Sequence, residues 1–241
     1  MPKLFQINSA LNCGSTGRIA EQIGLLAQRN GYEVYIAHGS RYKNPSQLHS
    51  MQVVTPFGEW CHGVYSLLFD RHGLASTRQT ERLVERIAEI HPDIIHLHNI
   101  HGYYLNYEVL FRYLSESEIP VAWTLHDCWS FTGHCCYFDY AGCNKWEGGC
   151  HDCQLLHSYP QSLFIDNSRD NYSRKKSAFT SVKNMTLVPV SDWLGGLVTQ
   201  SFLRDYPIHV LHNGTDLKTF SPKSSLDLNR KFGTAGKKYV L

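Results

Sequence analysis

Two apolar, strand-like runs separated by one helical segment open the chain, and this arrangement restricts its fold more than any other feature. Residues 3–8 and 33–38 read as buried strands, and the segment between them has apolar residues at helical spacing. Those apolar residues are Ile19, Ile23, Leu26 and Ala27. A helix that connects two strands returns the chain to the same edge of the sheet, so the strands lie parallel. The unit predicts an α/β fold.

The same alternation continues to residue 211. Helices are predicted at residues 60–69, 77–91, 106–116 and 171–182, and a further helix is predicted to follow Ser191 as its N-cap. Strands are predicted at residues 51–55, 93–97, 121–125, 185–190 and 208–211. Residues 93–97 (DIIHL) are largely apolar without alternation, which is typical of a central parallel strand. We expect a Rossmann-like parallel sheet with helices on both faces over residues 1–211.

Residues 212–241 differ from the rest of the chain. Residues 212–222 (HNGTDLKTFSP) read as a turn-rich linker, residues 223–238 are polar, and residues 239–241 (YVL) read as the beginning of another strand. A strand of three residues needs partners, so we expect a second domain of roughly 100–200 residues to follow.

Charge and composition exclude several classes of protein. The 23 lysines and arginines nearly balance 21 aspartates and glutamates, so no nucleic-acid partner is expected. No run of about 18 apolar residues is present, and the N-terminus (MPKLFQINSA) has no signal-peptide core. We therefore expect a cytoplasmic protein in which the eight cysteines are reduced or bind metal rather than form disulfides.

The loop after the first strand is a candidate cradle for a phosphate or a sugar. It is rich in small residues that let backbone amides approach an anion, namely Gly14, Ser15, Thr16 and Gly17, followed by Arg18. An ordinary turn in which Ser15 or Thr16 caps the helix explains the pattern equally well. The glycine spacing is not GxGxxG, and His38 and Gly39 end the second strand where an acidic residue would be required. A nicotinamide-dependent oxidoreductase is therefore disfavoured.

Histidines follow two of the predicted central strands. His126 and Asp127 come directly after residues 121–125. His96 lies within residues 93–97, and His98 and His101 follow that strand. Ligands of parallel sheets bind outside the carboxyl ends of the strands, where a histidine can exchange a proton near neutral pH. The alternatives are a structural histidine that holds the long loop and, for His96 and His98, a metal site. The metal site lacks a carboxylate, so hydrogen bonds to loops or substrate hydroxyls are preferred.

Residues 128–166 have no helical or strand periodicity, and loops of this length are uncommon in compact domains. We expect that something other than a core orders the segment, and metal is the simplest candidate. The thiols offered are Cys135 or Cys136, then Cys143, Cys150 and Cys153, and the last two form a CxxC pair. Four thiolates close a structural zinc site that has no open position for catalysis. Buried free cysteines or a redox pair are the alternatives.

The predicted helix at residues 60–69 is rich in aromatic and aliphatic side chains. We expect it to pack on the sheet, and the alternative is an apolar surface for a lipid or a membrane.

Several segments together resemble the N-terminal half of the bacterial GT-B glycosyltransferases of family 4, in the branch of capsular, exopolysaccharide or colanic-acid-type synthesis. The segments are INSALNCGSTGR, PDIIHLHNIHGYYLN, WTLHDCWSFTGHC, GCNKW, GCHDC, NYSRKK, VSDWL and HNGTDLKTFSP. The resemblance covers essentially the whole chain.

The resemblance implies two Rossmann-like domains that face each other across a cleft. Residues 1–211 would bind the acceptor, residues 212–241 would be the interdomain linker and the start of the second domain, and that domain would bind the nucleotide-sugar donor. His126 would be catalytic, matching a histidine near the transferred sugar. The segment from Gly14 to Arg18 would approach the donor phosphate and the acceptor, and His101 and Asp127 would bind substrate. Cys135, Cys143, Cys150 and Cys153 match the cysteine positions of the branch better than Cys136 does.

We accordingly expect a retaining hexosyltransferase that uses a nucleotide sugar and needs no catalytic metal. The acceptor would be a polysaccharide or a lipid-linked oligosaccharide, with peripheral association at the inner membrane face. The 241 residues alone are expected to be inactive, because the groups that support the leaving diphosphate belong to the second domain. A noncatalytic, zinc-stabilised carbohydrate-binding module is the alternative.

Overall fold

The computed structural model describes residues 1–217, 220, 230–234, 236 and 237, and these contain a six-stranded sheet. The strands are β1 (Lys3–Asn8), β2 (Glu33–His38), β3 (His49–Gln52), β4 (Ile94–Leu97), β5 (Val121–Leu125) and β6 (Met185–Pro189). Their order is β3-β2-β1-β4-β5-β6, and every neighbouring pair is parallel. This is the strand order of a Rossmann-like sheet, which confirms the predicted fold class.

Helices connect the strands. They are α1 (Gly14–Arg29), α2 (Pro56–Phe69), α3 (Thr77–Ile90), α4 (Tyr107–Glu116), α5 (Lys145–Gly148), α6 (Ser168–Phe179) and α7 (Asp192–Val198). Side-chain oxygens of Thr55, Asn106 and Ser191 accept hydrogen bonds from the first-turn N–H groups of α2, α4 and α7. Such caps fix where a helix begins, and the N-cap predicted at Ser191 is confirmed. None of the described helices has the length and apolar character needed to cross a bilayer.

Helices cover both faces of the sheet, and the side chains of each strand alternate between the two covered faces. On β1, Leu4 packs in a small cluster with Ala20 of α1. Phe5 and Ile7 point to the other face and join a large cluster with side chains of α3, α4 and α6.

Several predicted bounds are wrong by a few residues. The strand expected at 51–55 lies at 49–52, the helix expected at 171–182 is α6 at 168–179, and α1 begins at Gly14, inside the expected loop. The strand expected at 208–211 is reduced to one bridge between Ile208 and Leu187. The bounds of an element depend on its backbone hydrogen bonds, which residue composition marks only to within one or two residues. The strand expected at 239–241 lies outside the described residues.

The buried face of α1 is not the predicted one. Ile19 and Ile23 are only half-buried and Leu26 is exposed, and they line a groove of about 550 Å³ opposite residues 211–216. The face that packs on the sheet consists of Gly17, Ala20, Glu21 and Gly24. A Cβ at Gly24 would lie 2.5 Å from Cδ1 of Leu48, so the small residues allow a close approach that larger ones would prevent.

Helix α2 also contradicts its prediction, because its polar side chains face inward. Glu59, His62 and Ser66 are its buried residues, and Glu59 accepts hydrogen bonds from the backbone N–H and the hydroxyl of Ser40 at 2.7 and 2.6 Å. The large exposed side chains of α2 are aromatic or aliphatic, namely Phe57, Trp60, Tyr65, Leu68 and Phe69.

Residues 128–166 are ordered by apolar side chains that join the large cluster, so the expectation that no core orders them is wrong. Trp146 packs against Phe131 and Phe138, with ring centroids 5.4 and 5.1 Å away, and all three rings belong to the large cluster. The segment contains two short 3-10 turns and α5. Fully buried Lys175 of α6 fastens it, donating hydrogen bonds from Nζ to the carbonyl oxygens of Trp129 and Thr132 at 2.7 and 3.0 Å.

Candidate functional site

A hollow of about 420 Å³ opens at the carboxyl ends of β1, β4 and β5. The strand order reverses between β1 and β4, and ligands of doubly wound sheets bind at this position. The hollow is lined by Ser9, Ala10, Cys13, Gly14, Ser15, Thr16, Ile19, Tyr42, Asn99, His126, Asp127, Tyr137, Val190 and Asn213. The structure thus brings the first loop and His126 to one shared space, although about 110 residues separate them in the chain.

The first turn of α1 forms one wall of the hollow. Cys13 is the N-cap, no side chain caps the helix, and the first turn contains no acidic residue. The alternative in which Ser15 or Thr16 caps the helix is therefore wrong. Gly14 has a φ of 62° and open space where a Cβ would stand. Free N–H groups at the start of a 16-residue helix favour a negatively charged ligand group.

Two of the five loop candidates lie away from the hollow. Gly17 is buried, and a Cβ there would lie 3.1 Å from the carbonyl oxygen of Ala10, so its role in the structure is close packing. Arg18 is exposed and does not line the hollow. Gly14, Ser15 and Thr16 remain as residues that a ligand in the hollow would touch.

His126 forms the opposite wall. Its ring is half-buried, and burial lowers its pKa to about 4, so the imidazole is neutral at physiological pH. Its Nε2 lies 3.3 Å from Nδ1 of His98. One nitrogen of a neutral imidazole donates and the other accepts, so the nitrogen of His126 that does not face His98 can form one hydrogen bond with a ligand.

Asp127 lines the same hollow as His126, and its carboxylate is held by two neighbouring residues. Its Oδ2 lies 2.9 Å from Nε2 of His101, and its Oδ1 accepts the N–H of Trp129 at 2.9 Å. Burial alone would raise the pKa of Asp127, but the charge and hydrogen bond of His101 and the N–H of Trp129 hold it below its usual value. His101 is buried behind Asp127 and does not line the hollow.

His96 and His98 are occupied by hydrogen bonds and do not form the metal site considered as an alternative. His96 Nε2 lies 2.8 Å from Oγ1 of Thr124, and its ring contacts the tilted ring of His98 at 4.1 Å between centroids. His98 bridges His126 and Gln6.

The four predicted zinc ligands all border the large cluster: Cys135 belongs to it, and Cys143, Cys150 and Cys153 pack against it. The neighbouring thiol of Cys135 lowers the pKa of Cys153. Cys150 Sγ accepts the N–H of Gly133 at 3.1 Å. Burial raises the pKa of Cys150, and a negative charge on Cys143 would raise it further. Zinc bound at about 2.3 Å would draw four sulfurs to roughly 3.8 Å from one another.

A different set of metal-ligand types is closer together. Among the described residues, His101, Asp127 and Cys136 form the set whose ligand atoms all lie within 4.8 Å of one another, and all three are buried. The predicted cysteines do not meet that distance as a set.

Several residues of the hollow escaped prediction. Tyr42 and Tyr137 line it from loops that carry no distinctive pattern, and Val190 lines it from the start of the VSDWL segment. Asn213 also lines the hollow, and its position in the HNGTD segment could have identified it as a candidate. Gln6 was missed because its position inside β1 reads as part of an apolar strand.

Comparison with known proteins identifies the chain. The family model described as Glycosyltransferase Family 4 matches residues 16–219. A protein of Escherichia coli (strain K12) described as the colanic acid biosynthesis glycosyl transferase WcaC is 32% identical over 117 residues, which cover 46% of this chain and 28% of that protein. Sucrose-phosphate synthase from Thermosynechococcus elongatus superposes with a TM-score of 0.58 and 11% identity, over 97% of this chain and 53% of the synthase.

The chain thus spans about half or less of the length of the proteins it matches, and the synthase shows the likeness of fold alone. The match to the family model covers most of the chain, from the first turn of α1 to the segment after β6. The chain therefore belongs to glycosyltransferase family 4.

Proposed function

We propose that the chain is the acceptor-binding half of a glycosyltransferase, in which residues 1–211 form the binding domain and residues 212–241 lead into a donor-binding domain. The observation that carries the proposal is the hollow at the switch point of the sheet, with uncapped N–H groups of α1 on one wall and His126 on the other. The family assignment supports sugar transfer and does not favour the noncatalytic module.

The two walls suit different parts of a nucleotide sugar. The N–H groups at the start of α1 favour the diphosphate, because no acidic side chain lies in the first turn. His126 favours the sugar, because a neutral imidazole can form a hydrogen bond with an uncharged hydroxyl group. Asn213 brings the proposed linker to the same hollow, so a domain that follows it would close over the ligand.

The reaction we infer is transfer of a hexose, with retention of configuration and without a catalytic metal, to a polysaccharide or lipid-linked acceptor. The relative described as a colanic acid biosynthesis glycosyl transferase supports an exopolysaccharide as the destination. We further propose transfer at the cytoplasmic membrane face. The complete protein should move label from UDP- or GDP-hexoses into lipid or polysaccharide, and the 241 residues alone should not. Transfer by the 241 residues alone, or an inverted anomeric configuration in the product, would contradict this reading.

We also propose a structural zinc ion held by Cys135, Cys143, Cys150 and Cys153. The donor types fit zinc, and Cys135 lies near enough to Cys153 to lower the pKa of that thiol, which supports a shared site. The purified chain should contain about one equivalent of zinc, because a site of four thiolates stabilises the folded state.

The Cys150→Ser and Cys153→Ser double variant should lose the zinc and melt at lower temperature, whereas Cys61→Ser, at an exposed position on α2, should keep it. Less than about half an equivalent in the native chain counts against the site. Loss of zinc from Cys136→Ser alone would instead assign the ion to the set with His101 and Asp127.

Peripheral membrane association is proposed from the outward face of α2. Trp60 stacks on Phe57 at 6.0 Å between centroids, and both side chains are exposed. The Leu163 N–H donates to the carbonyl oxygen of Leu67, which places exposed Phe164 next to the end of the same helix. Apolar aromatic side chains on an amphipathic helix insert at the bilayer interface, and soluble monomers rarely expose contiguous patches of this kind.

The chain should cosediment with phospholipid vesicles, and the Phe57→Ser, Trp60→Ser double variant should lose at least about half of that binding. Tyr32→Ser, which removes an exposed ring outside α2, is the control and should bind as the native chain does. Equal binding by all three proteins, or none by the native chain, would remove the proposal.

A further inference from the structure

Three side chains form a hydrogen-bonded chain from the interior to the hollow. They are Gln6 of β1, His98 directly after β4 and His126 directly after β5. His98 Nε2 lies 3.2 Å from Oε1 of Gln6, and His98 Nδ1 lies 3.3 Å from Nε2 of His126. Gln6 and His98 are buried, whereas His126 lines the hollow.

The direction of this chain is fixed at Gln6. The amide nitrogen of Gln6 lies 3.0 Å from the carbonyl oxygen of Ala20, which can only accept. Oε1 of Gln6 must therefore face His98, and because that oxygen also only accepts, His98 Nε2 carries the proton. Burial lowers the pKa of His98 well below its usual value, so its ring is neutral and Nδ1 has a lone pair.

The same reasoning fixes the proton of His126. A lone pair on His98 Nδ1 requires His126 Nε2 to donate, so the other ring nitrogen of neutral His126 is bare. That nitrogen, Nδ1, has no hydrogen-bond partner among the described residues and is not sealed from solvent.

We propose that Gln6 and His98 are positioning residues that hold His126 in the tautomer with the proton on Nε2, so that its Nδ1 accepts a hydrogen bond from a hydroxyl group of the ligand. The ligand part of this proposal rests on the proposed function, whereas the tautomer does not. A hydroxyl can donate to Nδ1, whereas a keto or fluoro substituent only accepts and would face a lone pair. The site would therefore select a sugar that has a hydroxyl group at the position facing His126.

Close packing of α1 holds the beginning of the chain. A Cβ on Gly24 would lie 2.8 Å from the amide nitrogen of Gln6, so little space remains for that amide to move. The contact of β1 with α1 thus holds the Gln6 amide in place. The two histidines extend the hydrogen-bond direction set at Gln6 to the hollow.

Nitrogen-15 NMR of the chain with labelled histidine tests the tautomer without any substrate. In the native chain near neutral pH, His98 and His126 should both show protonated Nε2 and bare Nδ1. Gln6→Met removes the acceptor that orients His98, and the His126 signals should then report a mixture of tautomers. Thr124→Val is the control, because it removes only the partner of His96 and should leave both tautomers unchanged.

Protonated Nδ1 on His126 in the native chain would overturn the proposal, whether or not any variant folds. A folded Gln6→Met chain with the native tautomer at His126 would overturn it as well. In the complete protein, Gln6→Met should lower sugar transfer by about tenfold, the effect of one hydrogen bond, and Thr124→Val should not. If the tautomers are as predicted but no sugar is transferred, the proposed function fails and the orienting chain stands.

Discussion

Replacing Gly133 with alanine is expected to lower the free energy of unfolding by about 3 kcal/mol or more, among the largest losses that a single methyl group can cause in this protein. A Cβ at this position would lie 2.1 Å from the carbonyl oxygen of Ser168 and 2.7 Å from Cβ of Cys150. The first of these neighbours is backbone at the beginning of α6, so it cannot yield by a side-chain rotation. The methyl group would force residues 128–166 away from α6.

Gly148→Ala is the matched control, because Gly148 lies in the same segment and no atom lies within 4 Å of the site of its Cβ. Urea denaturation of the two variants and the native chain measures the difference. Gly148→Ala should change the free energy of unfolding by less than about 1 kcal/mol. Equal midpoints for the two variants would mean that the segment does not pack on α6 as described.

Replacing His126 with alanine is expected to reduce sugar transfer by the complete protein about 100-fold. The variant loses the ring nitrogen that is proposed to accept a hydrogen bond from the sugar hydroxyl, and the backbone N–H groups of α1 on the other wall only donate. The native fold should be retained, because the His126 ring is half-buried and its hydrogen bond is to a single partner, His98.

The comparison uses initial rates with the donor that the native protein accepts, together with a melting curve for each variant. His209→Ala removes an exposed histidine that does not line the hollow and should transfer sugar at the native rate. A His126→Ala protein that melts as the native one does and keeps more than about half of its rate would exclude His126 from the reaction.

The sequence predicts the positions of most strands, because a short apolar run between polar loops is a local signal. The predicted bounds of β1 and β2 agree with the structure, since short apolar runs bounded by polar loops have few alternative registers. The face of α1 was not predictable in this way. Apolar periodicity marks Ile19, Ile23 and Leu26, but the approach distance to the sheet selects Gly17, Ala20 and Gly24, and that distance is a tertiary property.

The candidate site divides similarly. The meeting of Gly14 and His126 in one hollow follows from topology, because the carboxyl ends of parallel strands share one edge of the sheet. The pairing of Asp127 with His101 and the orientation of His98 by Gln6 depend on contacts between separate strands and loops. The inward polar face of α2 depends on Ser40, whose backbone and hydroxyl need the carboxylate of Glu59. A single sequence contains no local signal for such contacts.

A crystal structure of the complete protein with an intact UDP- or GDP-hexose would test most directly whether the hollow is where sugar is transferred. The account predicts diphosphate oxygens facing the backbone N–H groups of Gly14, Ser15 and Thr16, and a sugar hydroxyl within hydrogen-bond distance of Nδ1 of His126. A sugar held elsewhere, with the hollow between the α1 N-terminus and His126 filled by solvent, would contradict it.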